Sequence, residues 1–194
     1  MTLKLLIGLT GAARCGKSTA QRIIADRYGL ARINFADPIK DALGAMLDLD
    51  DRHLNGELKE QPLPWLGKSP RELMQTLGTE WGRDLVAPDL WTRVARQRLA
   101  QLEDAEGDAF QGAVFSDVRT PQEAEWIRTH GGTVIHLYRP GTAPVRPHAT
   151  ELGVALHRLD RVITNGGDLD ELNARLTLAM DELIDQATTR EGRS

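Results

Sequence analysis

The sequence predicts an α/β fold in which a mostly parallel central sheet is flanked by helices. Short apolar runs alternate with helical patterns along most of the 194 residues, the order expected of strand–helix–strand units. The run at 3–9 has the length and bulk of a strand buried within a parallel sheet, and further strands are predicted at 113–117 and 133–138. A glycine-rich stretch at 11–18 joins the first run to a helical pattern. Ligands of such folds bind beyond the carboxyl ends of the strands.

The composition is that of one globular domain spanning residues 1–194. Hydrophobic residues make up 41% of the chain, charged residues 27%, and the formal net charge is −4. This charge gives no general attraction to nucleic acid or anionic membrane, and no apolar run is long enough to span a bilayer. The sole cysteine excludes an internal disulfide and fits a reducing cytoplasm. We therefore expect no nucleic-acid partner and no membrane association.

The stretch Gly11–Ser18 matches G-x-x-x-x-G-K-[ST], the phosphate-binding loop (P-loop) of nucleotide enzymes. A strand pattern precedes it, and a helical pattern follows that Gly29 can end, so the context of the motif is correct. Successive N–H groups of such a loop point at phosphate oxygens, Lys17 reaches the β- and γ-phosphates, and Ser18 ligates Mg²⁺. The predicted nucleotide-binding residues are Gly11, Ala13, Arg14, Cys15, Gly16, Lys17, Ser18 and Thr19.

The first half of the chain continues with a short strand and further helices. Asp37 follows a predicted strand at 31–36 and is equally interpretable as a helix N-cap or a substrate-binding residue. Residues 48–68 are polar and rich in breakers, which predicts a loop. A capping box then opens a helix at Ser69, and 88–104 forms the next helix. Spacing assigns Trp91 of that helix to the core.

The second half repeats the alternation. The strand at 113–117 ends in Asp117, the form expected of a carboxylate near Mg²⁺, and Arg119 either neutralises phosphate or pairs with Asp117. The loop at about 139–151, rich in proline and arginine, is either an ordinary surface loop or a closing lid. The remaining predictions are a helix opened by a capping box at Thr120, strands at 133–138 and 161–164, a helix capped by Asp168, and a frayed tail from Thr188.

These residues carry a resemblance to the phage-type deoxynucleoside monophosphate kinases, a branch of the P-loop nucleotide kinases. It extends over nearly the whole chain, and its most specific stretches are 69–83 and 116–124. Similar stretches also occur at 35–38, 131–140 and 163–169. Thr150 stands where the family more often has Ser, which keeps the hydroxyl.

The resemblance implies transfer of the γ-phosphoryl group of ATP, with Mg²⁺, to a deoxynucleoside 5′-monophosphate (dNMP). It implies a P-loop on the central strand, a substrate-binding segment at about 37–90 and a lid. Arg71 would grip the acceptor phosphate, near Asp37. The implied catalytic residues are Lys17, Arg71, Asp117, Arg119 and Arg139, with Ser18 and Asp117 as metal ligands. The implied substrate-binding residues are Asp37, Arg71, Gln75, Gly78, Thr79, Glu80, Trp81 and Arg146.

Two other functions stay open at the level of sequence. A P-loop kinase for another small acceptor, similar to dephospho-coenzyme A kinase, would share most of these features. A non-catalytic nucleotide-binding module would bind nucleotide without acceptor-dependent turnover. A GTPase is disfavoured because no Asn-Lys pair occurs, so the guanine-reading N-K-x-D motif is absent. Base preference, selection of deoxyribose, homodimer formation and the reactivity of Cys15 are not determined by these patterns. If the chain is phage-encoded, the expected compartment is the host cytoplasm.

Overall fold

The computed structural model describes residues 4–141 and 153–191, and within them five parallel strands form one sheet. The strands are β1 (Leu5–Thr10), β2 (Ala31–Ile33), β3 (Gly112–Phe115), β4 (Thr133–Tyr138) and β5 (Arg161–Thr164). Their spatial order is β2-β3-β1-β4-β5, which puts β1 at the centre. The predicted α/β class with a mostly parallel sheet is confirmed.

Helices connect the strands. They are α1 (Lys17–Tyr28), α2 (Asp37–Leu47), α3 (Asp51–Leu54), α4 (Pro70–Gln75), a π-helix (Thr76–Val86), α5 (Leu90–Glu106), a short 3₁₀ helix (Gly107–Ala109), α6 (Pro121–Thr129) and α7 (Leu169–Glu191).

Successive residues of β1 face opposite layers of helices. Ile7 and Leu9 lie in a buried cluster that includes Ile24 of α1 and Leu176 of α7. Gly8, between them, faces α6, since a Cβ there would approach Ile127 Cδ1 to 2.5 Å. Helices therefore cover both faces of the sheet, which explains why the strand reads as a continuous apolar run.

Both predicted capping boxes are present. The Ser69 hydroxyl accepts from the Glu72 N–H at 3.3 Å, and the Glu72 carboxylate accepts from the Ser69 N–H at 2.8 Å. Thr120 and Glu123 make the same reciprocal pair at 3.2 and 3.0 Å. These bonds satisfy N–H groups that an α-helix leaves without a partner, so the two helices begin where the sequence predicts.

Several predicted boundaries are wrong. β2 ends at Ile33 rather than at residue 36, because the next N–H after β3, that of Ser116, donates to the side chain of Asn34 at 3.1 Å and not to a backbone carbonyl of β2. The predicted loop at 48–68 contains the short helix α3. The predicted helix at 88–104 spans Leu90–Glu106 instead.

Asp37 is not an N-cap. It is the first residue of α2, and Ala36 occupies the cap position without a side-chain hydrogen bond. The Asp37 carboxylate lies 3.9 Å from the ammonium of Lys40, one turn later in the helix. The capping role proposed from sequence is therefore wrong, and the alternative substrate role stays a prediction.

The C-terminal helix continues past the predicted fraying point at Thr188. α7 runs to Glu191, and its buried residues Leu176 and Met180 pack in the same cluster as β1. The Thr188 hydroxyl donates to the Ile184 carbonyl at 2.9 Å, four residues earlier. Packing of the preceding turns against the core keeps this part of the chain helical.

The chain divides into two compact units. One comprises 1–34 and 98–194 and contains the sheet, and the other comprises 35–97 and contains α2, α3, α4 and the π-helix. The predicted substrate segment of about 37–90 lies within the second unit. No helix in the described part of the chain is long and apolar enough to cross a membrane.

A buried ion network fixes the start of β5. The carboxylate of Asp160, fully buried, accepts from Arg128 at 2.6 and 3.1 Å, from His136 Nε2 at 2.9 Å and from the His157 N–H at 2.9 Å. Burial by itself raises the pKa of Asp160, but the bonds from Arg128, the His157 backbone and His136 outweigh it, so the pKa lies below its usual value.

Asp160→Asn is expected to lower the free energy of unfolding by about 3 kcal/mol, because it leaves Arg128 without a buried counter-charge. The folded pKa of this carboxyl is depressed, so its contribution to stability is fully present above about pH 4 and is lost as the pH falls through the folded value. Urea unfolding of both proteins between pH 3 and 7 measures this. A difference that does not shrink at acid pH would contradict the assignment.

Candidate active site

The loop after β1 has the backbone of a phosphate cradle. Gly11 and Gly16 have φ values of 141° and 102°, which side chains rarely tolerate. A Cβ at Gly11 would also collide with the Leu137 carbonyl, and one at Gly16 with the Asn165 amide. α1 begins at Lys17, so its unpaired N–H groups and the positive end of its dipole lie at the end of the loop. Ser18, in this first turn, is exposed.

Lys17 folds back over this loop. Its ammonium donates to the carbonyls of Gly11 and Ala12, both at 2.7 Å. Burial lowers the pKa of Lys17, and the positive charge of Arg119 lowers it further, while Cys15 and Asp117 act in the opposite direction. Asp117 and Arg119 are therefore close enough to Lys17 to act on it electrostatically, and the catalytic roles of the three residues stay predictions.

Asp117 follows β3 at the carboxyl edge of the sheet, and the backbone just before it is firmly held. The Asn34 side-chain oxygen accepts from the Ser116 N–H at 3.1 Å and from its hydroxyl at 2.8 Å. The buried Gln21 amide donates to that same oxygen at 3.0 Å and to the Val114 carbonyl at 2.8 Å. Sequence reasoning missed Asn34 and Gln21, although a glutamine on the buried side of α1 was a usable signal.

The backbone at Arg119 is fixed by Glu123. One carboxylate oxygen of Glu123 accepts from the Arg119 N–H at 2.8 Å and from the Thr120 N–H at 3.0 Å. Glu123 is buried, whereas Arg119 is exposed. The capping box thus holds the main chain from which the Arg119 side chain extends, and this side chain contributes positive charge near Lys17.

Asn165 braces the loop and was given no role in the sequence prediction. It is 7% exposed, and its side-chain amide donates to the Cys15 carbonyl at 2.9 Å. Its backbone N–H donates to the Tyr138 carbonyl at 2.6 Å, next to Arg139 at the end of β4. An asparagine directly after a strand, at the edge where ligands bind, was the signal that could have identified it. Arg139 is exposed, and Arg146 with most of the predicted lid lies outside the described residues.

The side chain of Cys15 is fully buried in the core, with its sulfur 3.8 Å from the Lys17 ammonium. Its predicted contribution to nucleotide binding is therefore confined to its backbone. We expect a bulky maleimide to label the native protein far more slowly than the urea-unfolded chain, and ATP to slow labelling further, because access to the thiol requires the loop to open. Mass spectrometry measures both rates, and equal rates for native and unfolded protein would contradict this burial.

Arg71 lies in the first turn of α4, two residues after the N-cap Ser69. Its guanidinium is mostly buried, with 21% of the side chain exposed, and lies 3.6 Å from the exposed carboxylate of Glu60. Its backbone N–H donates to the Lys59 carbonyl at 3.0 Å. The arginine is thus held on a rigid element, and one carboxylate near its guanidinium, that of Glu60, is exposed to solvent.

The other candidates of the second unit lie along α4 and the π-helix. Gln75 and Thr79 are partly exposed, whereas Gly78 is buried and Glu80 and Trp81 are exposed. The Arg83 guanidinium lies 3.4 Å from the Gly78 carbonyl and 3.5 Å from the Thr79 hydroxyl. Trp91 is 6% exposed, which confirms its assignment to the core. The binding roles of these residues stay predictions.

The chain resembles deoxynucleotide monophosphate kinases of several viruses. A protein of Acanthamoeba polyphaga mimivirus that carries this family name is 31% identical, over 91% of this chain and 96% of its own length. The deoxynucleotide monophosphate kinase of Enterobacteria phage T4 is 29% identical, over 88% and 96% of the two chains. The similarity therefore spans nearly all of the chain in both cases.

A similarity of fold extends further. The crystal structure of TT1252 from Thermus thermophilus superimposes with a TM-score of 0.50 over 93% of this chain and 98% of that one, at 16% identity. The model of the family described as deoxynucleotide monophosphate kinase matches residues 66–176, which include Arg71, Asp117, Arg119 and Arg139. Because this match covers more than half of the chain and the similarity to the mimivirus protein covers nearly all of it, the chain belongs to the deoxynucleotide monophosphate kinase family.

Proposed function

We propose that this chain transfers the γ-phosphoryl group of ATP, with Mg²⁺, to the phosphate of a deoxynucleoside 5′-monophosphate. An oxygen of the acceptor phosphate bonds to the γ-phosphorus, the bond to the β–γ bridging oxygen breaks, and ADP leaves with the electron pair. The observation that carries the proposal is the glycine loop after β1 with the Lys17 ammonium folded over it, in a chain of this family.

The donor site would bind ATP through charge and backbone. The loop amides and the N-terminus of α1 face the phosphates, and Lys17 exchanges its carbonyl partners at Gly11 and Ala12 for the β- and γ-phosphates. The loss of these two hydrogen bonds is offset by contact of the ammonium with an anion.

The residues at this edge fit Mg²⁺. In phosphoryl-transfer sites Mg²⁺ is held by one or two protein ligands together with substrate phosphates and waters. Ser18, exposed at the start of α1, and Asp117, within electrostatic reach of Lys17, supply one hydroxyl and one carboxylate. When bound, the ion would neutralise charge on the phosphates, and Ser18 and Asp117 would be the residues that hold it.

The acceptor site would be organised by Arg71. A guanidinium presents paired donors that match a phosphate, and the acceptor phosphate would displace the Glu60 carboxylate. Asp37 would lie near this phosphate, while the nucleoside would face Gln75 and the start of the π-helix. The π-helix residues assigned to this face are Gly78, Thr79, Glu80 and Trp81.

Charge neutralisation would supply most of the catalysis. The acceptor phosphate is already ionised near neutral pH, so no general base is required, and the protein positions two anions against their mutual repulsion. Lys17 and Arg119 carry positive charge at the donor site. Arg139 and Arg146 would add to it as donor and acceptor bind.

An acceptor screen tests the proposal. The purified protein is incubated with ATP·Mg²⁺ and each dNMP, each ribonucleoside monophosphate or dephospho-coenzyme A, and ADP release is followed. We expect release that depends on at least one dNMP. Turnover with dephospho-coenzyme A alone would assign the rival kinase activity, and ATP binding without turnover of any acceptor would assign a non-catalytic module.

We propose further that the protein acts in the cytoplasm and does not bind nucleic acid. The net charge of −4 supports the absence of a general nucleic-acid surface. Sedimentation of the protein alone measures its oligomeric state, and sedimentation with duplex DNA measures DNA binding. Co-sedimentation with DNA at physiological salt would refute the proposed absence of nucleic-acid binding.

A further inference from the structure

The π-helix Thr76–Val86 is an unusual backbone for a substrate-binding segment. It continues directly from α4 and runs for 11 residues, whereas π-helical geometry usually persists for a single turn and recurs at functional sites. Such a conformation persists only when its surroundings hold it. Thr79 and Glu80, which we assign to the acceptor nucleoside, lie in its first half.

One side chain contacts the π-helix backbone at both ends of the turn that carries these residues. Trp91, in the first turn of α5, donates its indole N–H to the Gly78 carbonyl at 2.7 Å. The same ring lies against Gly82, where a Cβ would approach ring carbons Cζ2 and Cε2 to 2.5 and 2.9 Å. The indole therefore spans the backbone from Gly78 to Gly82, with Thr79 and Glu80 between its two contacts.

The contacts depend on the indole ring and on the glycine at residue 82. An indole nitrogen is a donor only, and when buried it must find an acceptor, which here is the Gly78 carbonyl. A side chain at residue 82 would overlap the ring, and one at residue 78 would press on Ile39 at 3.0 Å. The absence of a side chain at Gly82 therefore lets the ring reach the backbone, whereas the absence of one at Gly78 leaves room for Ile39.

We propose that Trp91 is a positioning residue for the acceptor site. It touches no substrate, and it fixes the π-helical turn that presents Thr79 and Glu80, and so sets the affinity for the acceptor nucleotide. The assignment of those two residues to the acceptor rests on the proposed function. The contact of Trp91 with the turn is a property of the fold alone.

Trp91→Phe tests this, because it keeps an aromatic ring and removes the N–H donor. Loss of one net hydrogen bond predicts that KM for the best dNMP rises about tenfold, with KM for ATP unchanged and kcat little affected. Hydrogen exchange of the amides at 76–86 should quicken at the same time. Trp126→Phe is the matched control. Trp126 lies in α6 of the other unit, where it packs on Phe115 of β3, so we expect this variant to change neither KM for the dNMP nor exchange at 76–86.

Gly82→Ala supplies a second variant that places a methyl group against the ring, and it should raise KM for dNMP in the same direction. An unchanged KM for dNMP in both variants, or an equal rise for ATP and dNMP, would overturn the positioning role. If the wild-type protein phosphorylates no dNMP, the proposed function fails instead. Even in that case, exchange at 76–86 that is as slow in Trp91→Phe as in the wild-type protein would show that Trp91 does not hold the turn.

Discussion

Lys17→Ala is expected to lower kcat by at least about a hundredfold while the protein stays folded. Removal of one preorganised contact to the charge that develops in the transition state costs about 3 kcal/mol or more. The fold should persist because the Lys17 ammonium bonds within its own loop, to the carbonyls of Gly11 and Ala12 and to the sulfur of Cys15, and because burial disfavours its charged form. Steady-state kinetics with saturating ATP and dNMP measure the loss, and circular dichroism checks the fold.

Lys4→Ala is the matched control for this variant. Lys4 precedes the same strand, β1, at the edge opposite the loop, where it pairs with Glu103. Its loss removes one positive charge without touching the donor site, so kcat should stay within about twofold, as for most surface substitutions. If kcat of Lys17→Ala were close to that of Lys4→Ala, Lys17 and its loop would have no part in phosphoryl transfer.

Arg71→Lys is expected to lower kcat/KM for the dNMP by about ten- to a hundredfold and to leave KM for ATP nearly unchanged. Lysine keeps the charge but cannot reproduce the paired donors of a guanidinium, and hydrogen bonds to charged groups contribute about 1.5–3 kcal/mol. The capping box at Ser69 holds this residue on a rigid turn, so the backbone cannot shift to compensate for the lost donors. Kinetics with each substrate varied in turn separate the two sites.

Two further variants bracket that result. Arg93→Lys changes an exposed arginine of the same unit, paired with Asp89 one turn away, and should be almost silent. Glu60→Gln removes the carboxylate that lies 3.6 Å from Arg71, so KM for the dNMP should fall slightly. A silent Arg71→Lys would place Arg71 outside the acceptor site and reopen the choice of acceptor.

The donor and acceptor predictions fail independently. Lys17 and the loop lie in the unit that contains the sheet, and Arg71 lies in the unit of residues 35–97. If Lys17→Ala abolishes turnover and Arg71→Lys changes nothing, the protein is still assigned as a P-loop kinase, but its acceptor is unassigned. Sensitivity to both substitutions, with effects on different substrates, supports the full reaction.

The features that the sequence determined are those set by a few neighbouring residues. The P-loop between β1 and α1, the capping boxes at Ser69 and Thr120, and the strands Thr133–Tyr138 and Arg161–Thr164 lie where the sequence predicts. In each case the partners of the hydrogen bonds, or the apolar residues of the strand, lie within a few positions of one another. Local chemistry therefore indicates where such elements lie, and the rest of the fold agrees with it.

Only the tertiary structure decided which distant groups complete the site. Asn165 reaches the Cys15 carbonyl 150 residues earlier in the chain, and Asn34 ends β2 by bonding to Ser116. Trp91 holds the π-helix through Gly78. No local pattern contains these pairs, because each forms when packing brings two strand ends or two helices together and leaves a buried polar group that must find its partner there.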